Sequence, residues 1–109
     1  MKLPWPPSVN KYWERNRNGS MRISREGLAF KEAVKLAVGS PDMIDGPVDM
    51  WVLAVPPDHR RRDIDNILKA LLDSLEGLLY HNDNQIVHLE ITKAEPGDGY
   101  VEVKCTPHS

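Results

Sequence analysis

The sequence predicts an α+β fold, a small mixed β-sheet with two helices packed on one face, in the order β-α-β-α-β-β. Three observations carry this. Two segments show apolar residues at helical spacing, around 25–38 and 64–79. Val48 to Val55 is a continuous apolar run rich in β-formers. Two further stretches, 87–92 and 101–105, alternate apolar and polar residues with the period of a strand. At 109 residues, 40% of them apolar, the chain suits one domain over 1–109 with a modest core.

In chain order, Lys2-Leu3 reads as a short first strand, and residues 4–23 as mostly irregular. Prolines open that stretch and Asn16-Arg17-Asn18-Gly19-Ser20 forms a turn-prone tip. Ser24 is placed to cap a helix from about Arg25 to Val38. Leu28, Ala29, Ala33, Leu36 and Ala37 form its expected apolar stripe, and Gly39 and Pro41 stop it. Val48–Val55 reads as a central strand ended by Pro56-Pro57. Ile64, Ile67, Leu68, Leu71, Leu72, Leu75, Leu78 and Leu79 then recur every three or four residues, the strongest helical signal in the chain, with Gly77 near its end. Val87, Leu89 and Ile91, the turn Pro96-Gly97-Asp98-Gly99, and Val101, Val103 and Cys105 are expected to form a β-hairpin.

No run approaches the ~20 apolar residues of a membrane-spanning helix, and the proline-broken start lacks the apolar centre of a signal peptide. The single cysteine, Cys105, allows no internal disulfide and no cysteine-based zinc site, so the cytoplasm is the expected location. The net charge of −2 hides an uneven distribution. Residues 1–35 hold eight cations against three acids, and residues 36–109 hold six against thirteen. Four of those six later cations fall between Arg60 and Lys69. A phosphate feels charges within a Debye length of ~8–10 Å rather than the total, so a polyanionic partner stays open despite the negative sum.

The stretch Arg60-Arg61-Arg62-Asp63-Ile64-Asp65-Asn66-Ile67-Leu68-Lys69 sets three guanidinium groups against two carboxylates. Arginines favour a polyanion, whereas clustered carboxylates repel one unless a cation lies between them. Asp63 and Asp65 cannot share a face of a regular helix, being ~200° apart. They converge if Asp63 precedes the helix and Asp65 lies in its first turn, with Lys69 one turn on. Asp83, in the polar loop His81-Asn82-Asp83-Asn84-Gln85, is free to fold back and join them. Three such oxygen ligands suit Mg²⁺, which keeps waters and takes substrate phosphate as a further ligand. The bland alternative is helix capping by the two acids and ordinary surface pairs of Lys69 with Asp65 or Asp73. His81 and His88 lack zinc-ligand spacing and suit surface roles.

Two separated blocks resemble a known pattern. Pro6-Pro7-Ser8-Val9-Asn10-Lys11-Tyr12-Trp13 is similar to the N-terminal signature of the RusA family of Holliday-junction resolvases. Arg61-Arg62-Asp63-Ile64-Asp65-Asn66, Lys69-Ala70-Leu71, Asp73-Ser74-Leu75 and Asn82-Asp83-Asn84-Gln85 resemble that family's core, in family order across most of the chain. Asn82 stands where a first acid is common. The resemblance implies a dimeric, Mg²⁺- or Mn²⁺-dependent endodeoxyribonuclease that nicks two strands symmetrically across a four-way branched DNA. Its catalytic residues would be Asp63, Asp65, Asp83 and Lys69, the three aspartates holding the metal. A homodimer also suits the two-fold symmetry of a four-way junction. Arg60, Arg61, Arg62, Lys11, Arg15 and Arg17 are then expected to contact backbone phosphates, and Tyr12 or Trp13 either to stack on an unpaired base or to pack internally. Trp5 is assigned to packing. The alternatives are a branched-DNA-binding protein without cleavage, and a small interaction domain with an acidic helix cap.

Overall fold

The computed structural model describes residues 1–109. Its elements are β1 (Lys2–Pro4), α1 (Val9–Tyr12), β2 (Trp13–Arg15), β3 (Met21–Ile23), α2 (Arg25–Val38) and β4 (Val48–Val55). A 3₁₀ turn (Ile64–Ile67) runs into α3 (Leu68–Leu75), and a second 3₁₀ turn (Asp83–Gln85) runs into β5 (Ile86–Lys93), followed by β6 (Tyr100–Pro107). The α+β class and the mixed sheet are as expected. The four-stranded sheet has the order β1-β6-β4-β5. Strand β4 is parallel to β5 and antiparallel to β6.

That order corrects the expected hairpin: β5 and β6 are not paired, because β4 lies between them. Periodicity reports which face a side chain occupies, not which strand is its neighbour. As the most apolar strand, β4 takes the central position, while the half-exposed β5 tolerates an edge. The turn-rich segment 94–99 instead crosses the end of β4, its Ala94 and Gly97 N–H groups donating to the carbonyls of Ala54 (2.8 Å) and Pro56 (2.7 Å). A register shift at Val48/Asp49 turns Ile86, Leu89 and Ile91 inward and leaves Val87 exposed, so Val87 is not on the inner face.

One face of the sheet carries the core. Val48, Met50, Val52 and Ala54 of β4 and Val101 and Val103 of β6 pack against Phe30 and Val34 of α2 and Ala70, Leu71 and Leu75 of α3. Ser24 caps α2 as expected, its Oγ accepting from the Gly27 N–H at 3.0 Å. The buried side of α2 is Gly27, Phe30 and Val34, however, with Leu28 and Leu36 in solvent. A Cβ on Gly27 would lie 2.8 Å from the Tyr12 carbonyl oxygen, so α2 lies on Phe30 and Val34 with a close approach at Gly27, and the leucines face out. Residues 4–23 are more regular than expected, forming α1 and the ribbon β2–β3, whose tip turns through Gly19 at φ 89°. The expected long second helix is broken: it begins as a 3₁₀ turn, and Gly77 at φ 85° ends it, leaving Leu78 and Leu79 in a turn.

Candidate active site

The arginine run lies at the C-terminal end of β4, in the loop forced there by Pro56-Pro57. Asp58 organises it. Its Oδ1 accepts from Arg62 Nη1 at 2.6 Å and from the Arg60 N–H at 2.9 Å. The Arg62 hydrogen bond, and then that from the Arg60 backbone, hold the Asp58 carboxyl down at about 2. Arg62 also lies 5.7 Å from the Trp5 ring centroid, and its carbonyl accepts from Lys93 Nζ at 2.9 Å. Arg62 is therefore committed within the protein. Arg60 reaches Asp58 only at 3.9 Å and is 80% exposed, and Arg61 has no ion-pair partner. Arg60, Arg61 and Arg62 line an open groove with Lys11. Arg15 and Arg17 do not line it; they lie on β2 and at the ribbon tip.

Asp63 directly precedes the 3₁₀ turn and Asp65 is in its first turn, as expected, but Asp63 makes no side-chain cap bond. Both carboxylates are exposed, and neither takes part in an ion pair. Although Asp65 in the first turn still gains from the positive N-terminal end of the turn, a side-chain cap by Asp63 fails. So do the surface pairs: Asp73 accepts from the Tyr12 hydroxyl and pairs with Lys31 at 3.3 Å, leaving Lys69 without a carboxylate. Lys69 Nζ instead lies 5.9 Å from the Trp13 ring centroid. Tyr12 is fully buried, with its phenol pushed up first by burial and then by Asp73. It packs internally, and of the two aromatics only the partly exposed Trp13 meets solvent.

Asp83 has a different environment. Its N–H donates to Glu76 Oε2 at 3.1 Å, and its Oδ1 is buried without a hydrogen-bond partner. Burial, then the Glu76 charge, pushes its carboxyl up, and the Tyr80 hydroxyl and, less, the Lys69 charge draw it partly back. Glu76, which sequence reasoning missed, is thus the acid nearest to Asp83; a glutamate before a helix-ending glycine carries no signal of this. Gln85 fixes the loop, donating through Nε2 to the Ile44 and Gly46 carbonyls and accepting from the His81 and Asn82 N–H groups.

Asp83 does not gather with Asp63 and Asp65 into a metal cage within the chain, although the charge of Lys69, at the start of α3, reaches it. It precedes Ile86, which pairs with Val48 at the start of β4, whereas Asp63 follows the end of β4. No group of three or more His, Cys, Asp or Glu side chains gathers as a metal cage in one chain. The parallel β4–α3–β5 connection requires Asp63 and Asp83 to flank opposite ends of the β4–β5 pair, because the helix must return the chain to the sheet's opposite end. His81 and His88 pair with Asp45 and Glu90, consistent with surface roles.

Known proteins resemble this chain in sequence. The family model for endodeoxyribonuclease RusA matches residues 4–106. A crossover junction endodeoxyribonuclease RusA of Shigella sonnei is 38% identical over 95 residues, covering 84% of this chain and 78% of the relative. That of Enterobacteria phage 82 is also 38% identical over the same shares. One from Escherichia coli O139:H28 is 34% identical, covering 88% of this chain and 93% of the relative. With the match spanning nearly all of β1 to β6, the chain belongs to the endodeoxyribonuclease RusA family.

Proposed function

We propose that residues 1–109 act as one domain, a divalent-metal-dependent endonuclease that resolves Holliday junctions by paired symmetric nicks in DNA recombination and repair. It works in the cytoplasm as a homodimer. The observation that carries this reading is the pair of exposed, partnerless carboxylates of Asp63 and Asp65 beside the uncommitted Arg60 and Arg61. Two unneutralised acids next to phosphate-seeking cations favour DNA only when a cation joins them.

Asp63, Asp65 and Asp83 are the residues to hold that ion. The donor set is all carboxylate oxygen, which suits Mg²⁺ with Mn²⁺ as a substitute, and the orphaned Oδ1 of Asp83 fits a ligand waiting for its cation. What such an ion supplies, when bound, is a more acidic water and neutralisation of charge on the phosphate. Lys69, its ammonium free of carboxylates and beside the Trp13 face, stabilises the charge that grows on the attacked phosphate. Arg60, Arg61 and Lys11 hold backbone phosphates near the cut, and Arg15 and Arg17 reach a neighbouring DNA arm along the ribbon.

The separation of Asp83 from the other two gives the dimer a chemical reason. A second copy related by a two-fold axis completes each site by presenting its own Asp83 to Asp63 and Asp65. The resulting pair of sites shares the symmetry of the junction.

The test is incubation with a synthetic four-way junction and with linear duplex, with Mg²⁺ or with chelator. Symmetric nicks are expected on the junction alone, lost with chelator and reduced about a hundredfold or more by Asp65→Asn, with junction binding kept or strengthened. Tight junction binding without nicks under every divalent ion tried would leave a branched-DNA-binding protein that does not cut.

A further inference from the structure

The groove beside the arginine loop combines two chemistries. Its floor is apolar, built from Pro6, Pro7, Ala29, Phe30, Ala33 and Ile67. Its rim carries Lys11, Arg60 and Arg61, opposed by one acid, Glu26. The volume is about 550 Å³, inside the ~300–1,000 Å³ range of small-ligand sites. Among its walls, Arg62, Asn66 and Ile67 flank Asp63 and Asp65 in the chain, so an occupant lies against the segment that carries the carboxylates.

We propose that this groove receives one unstacked nucleotide of the junction strand adjacent to the cut, its phosphate held by Lys11, Arg60 and Arg61 and its base laid on the apolar floor. The proposal rests on the nuclease reading and adds a substrate subsite to it. A duplex running past offers only phosphates, for which the cationic rim alone would suffice. The floor gains contact only from a base whose face has left the stack. The floor is also set before DNA arrives: Pro6 and Pro7 are buried with fixed φ, and Trp5 is backed by Arg62, itself pinned by Asp58. Glu26 repels a phosphate but accepts a hydrogen bond from an exocyclic amine. It therefore favours a base with a two-donor exocyclic amine (adenine, cytosine or guanine) over thymine, whose free edge offers only the single N3–H.

The experiment uses the full chain carrying Asp65→Asn, which keeps junction binding with little cutting, and a four-way junction carrying 2-aminopurine at the crossover, with Mg²⁺ present. Binding is expected to raise the fluorescence of the analogue as it leaves the stack. The rise should be lost in Ala29→Trp and Ala33→Trp, which fill the groove from α2. It should survive in Leu36→Trp, on the same helix outside the groove and 77% exposed. A single-stranded trinucleotide should quench tryptophan fluorescence in the wild type and in Leu36→Trp but not through the filled groove. Cytosine trinucleotides should bind more tightly than thymine ones, a preference lost in Glu26→Ala. A wild type that nicks the junction while its Asp65→Asn variant binds with no fluorescence rise, or a rise that persists in both filled variants, overturns the groove and leaves the nuclease reading intact. A chain that ignores junctions yet binds the trinucleotide through an unfilled groove supports the subsite and overturns the nuclease reading instead.

Discussion

Asp58 shows how one residue divides a charge run into different tasks. From sequence, Arg60, Arg61 and Arg62 are equivalent phosphate contacts; in the fold, Asp58 pins Arg62 beside Trp5 and leaves Arg61 unpaired. The Asp58 carboxyl is lowered from 3.8 to about 2 by the Arg62 side chain and then the Arg60 backbone. A depressed carboxyl contributes stability that is fully present above its unfolded value and is lost as pH falls from about 4 toward 2. Asp58→Asn should therefore lower the thermal midpoint at pH 6, with the gap from wild type closing near pH 2. Thermal melts at pH 6, 4 and 2.5 check this, and a gap independent of pH would disprove the ionic account. Added salt should narrow the gap at pH 6, since the pair is partly exposed.

At the scale of elements, a small residue sets with Phe30 and Val34 how α2 lies. Leucine periodicity points to a stripe through Leu28 and Leu36, but the close approach at Gly27 turns that stripe outward. On an exposed helix face Gly→Ala stabilises by about 1 kcal/mol. At Gly27 the new methyl carbon would meet Ile23 Cγ2 at 2.7 Å and the Tyr12 carbonyl oxygen at 2.8 Å. Overpacking of about 1–3 kcal/mol then outweighs the helix gain. Gly27→Ala should lower the melting temperature by about 5 °C or more. A raised melting temperature would mean that α1 and α2 separate freely. The consequence for the site is direct, because α1 carries Lys11 to the groove and leads into Trp13, beside Lys69.

For the whole molecule, the decisive feature is that the proposed metal ligands lie at opposite ends of the β4–β5 pair. If two copies complete each other's sites, Asp65→Asn and Asp83→Asn are each inactive alone but complement when mixed. Each mixed dimer then holds one intact site and one doubly defective site. Random exchange of equal amounts makes half the dimers mixed, so nicking should recover to about a quarter of the wild-type rate. An assay scoring single nicks on a labelled junction reads this out. If each chain instead gathers all three aspartates itself, mixing restores nothing.

Much of the molecule was legible from local pattern. The extent of α2, its Ser24 cap, the central strand and the helical turn that begins just after Asp63 and takes in Asp65 all follow from short-range sterics and periodicity, which act within a few residues. The resemblance in residues 6–13 and 61–85 pointed to the family that the comparisons support. Only the tertiary structure decided strand neighbours, the burial of Tyr12 against Asp73, the Glu76 partner of Asp83, and the failure of Asp83 to join Asp63 and Asp65 in one cage. Each of these relates residues through the sheet or between helices, and the energy that selects them, burial of β4 on both edges and close approach at Gly27, belongs to no single segment. What sequence determined was which groups are present to hold a metal and a phosphate; where the chain holds them apart was decided by a parallel strand connection that no local signal encodes.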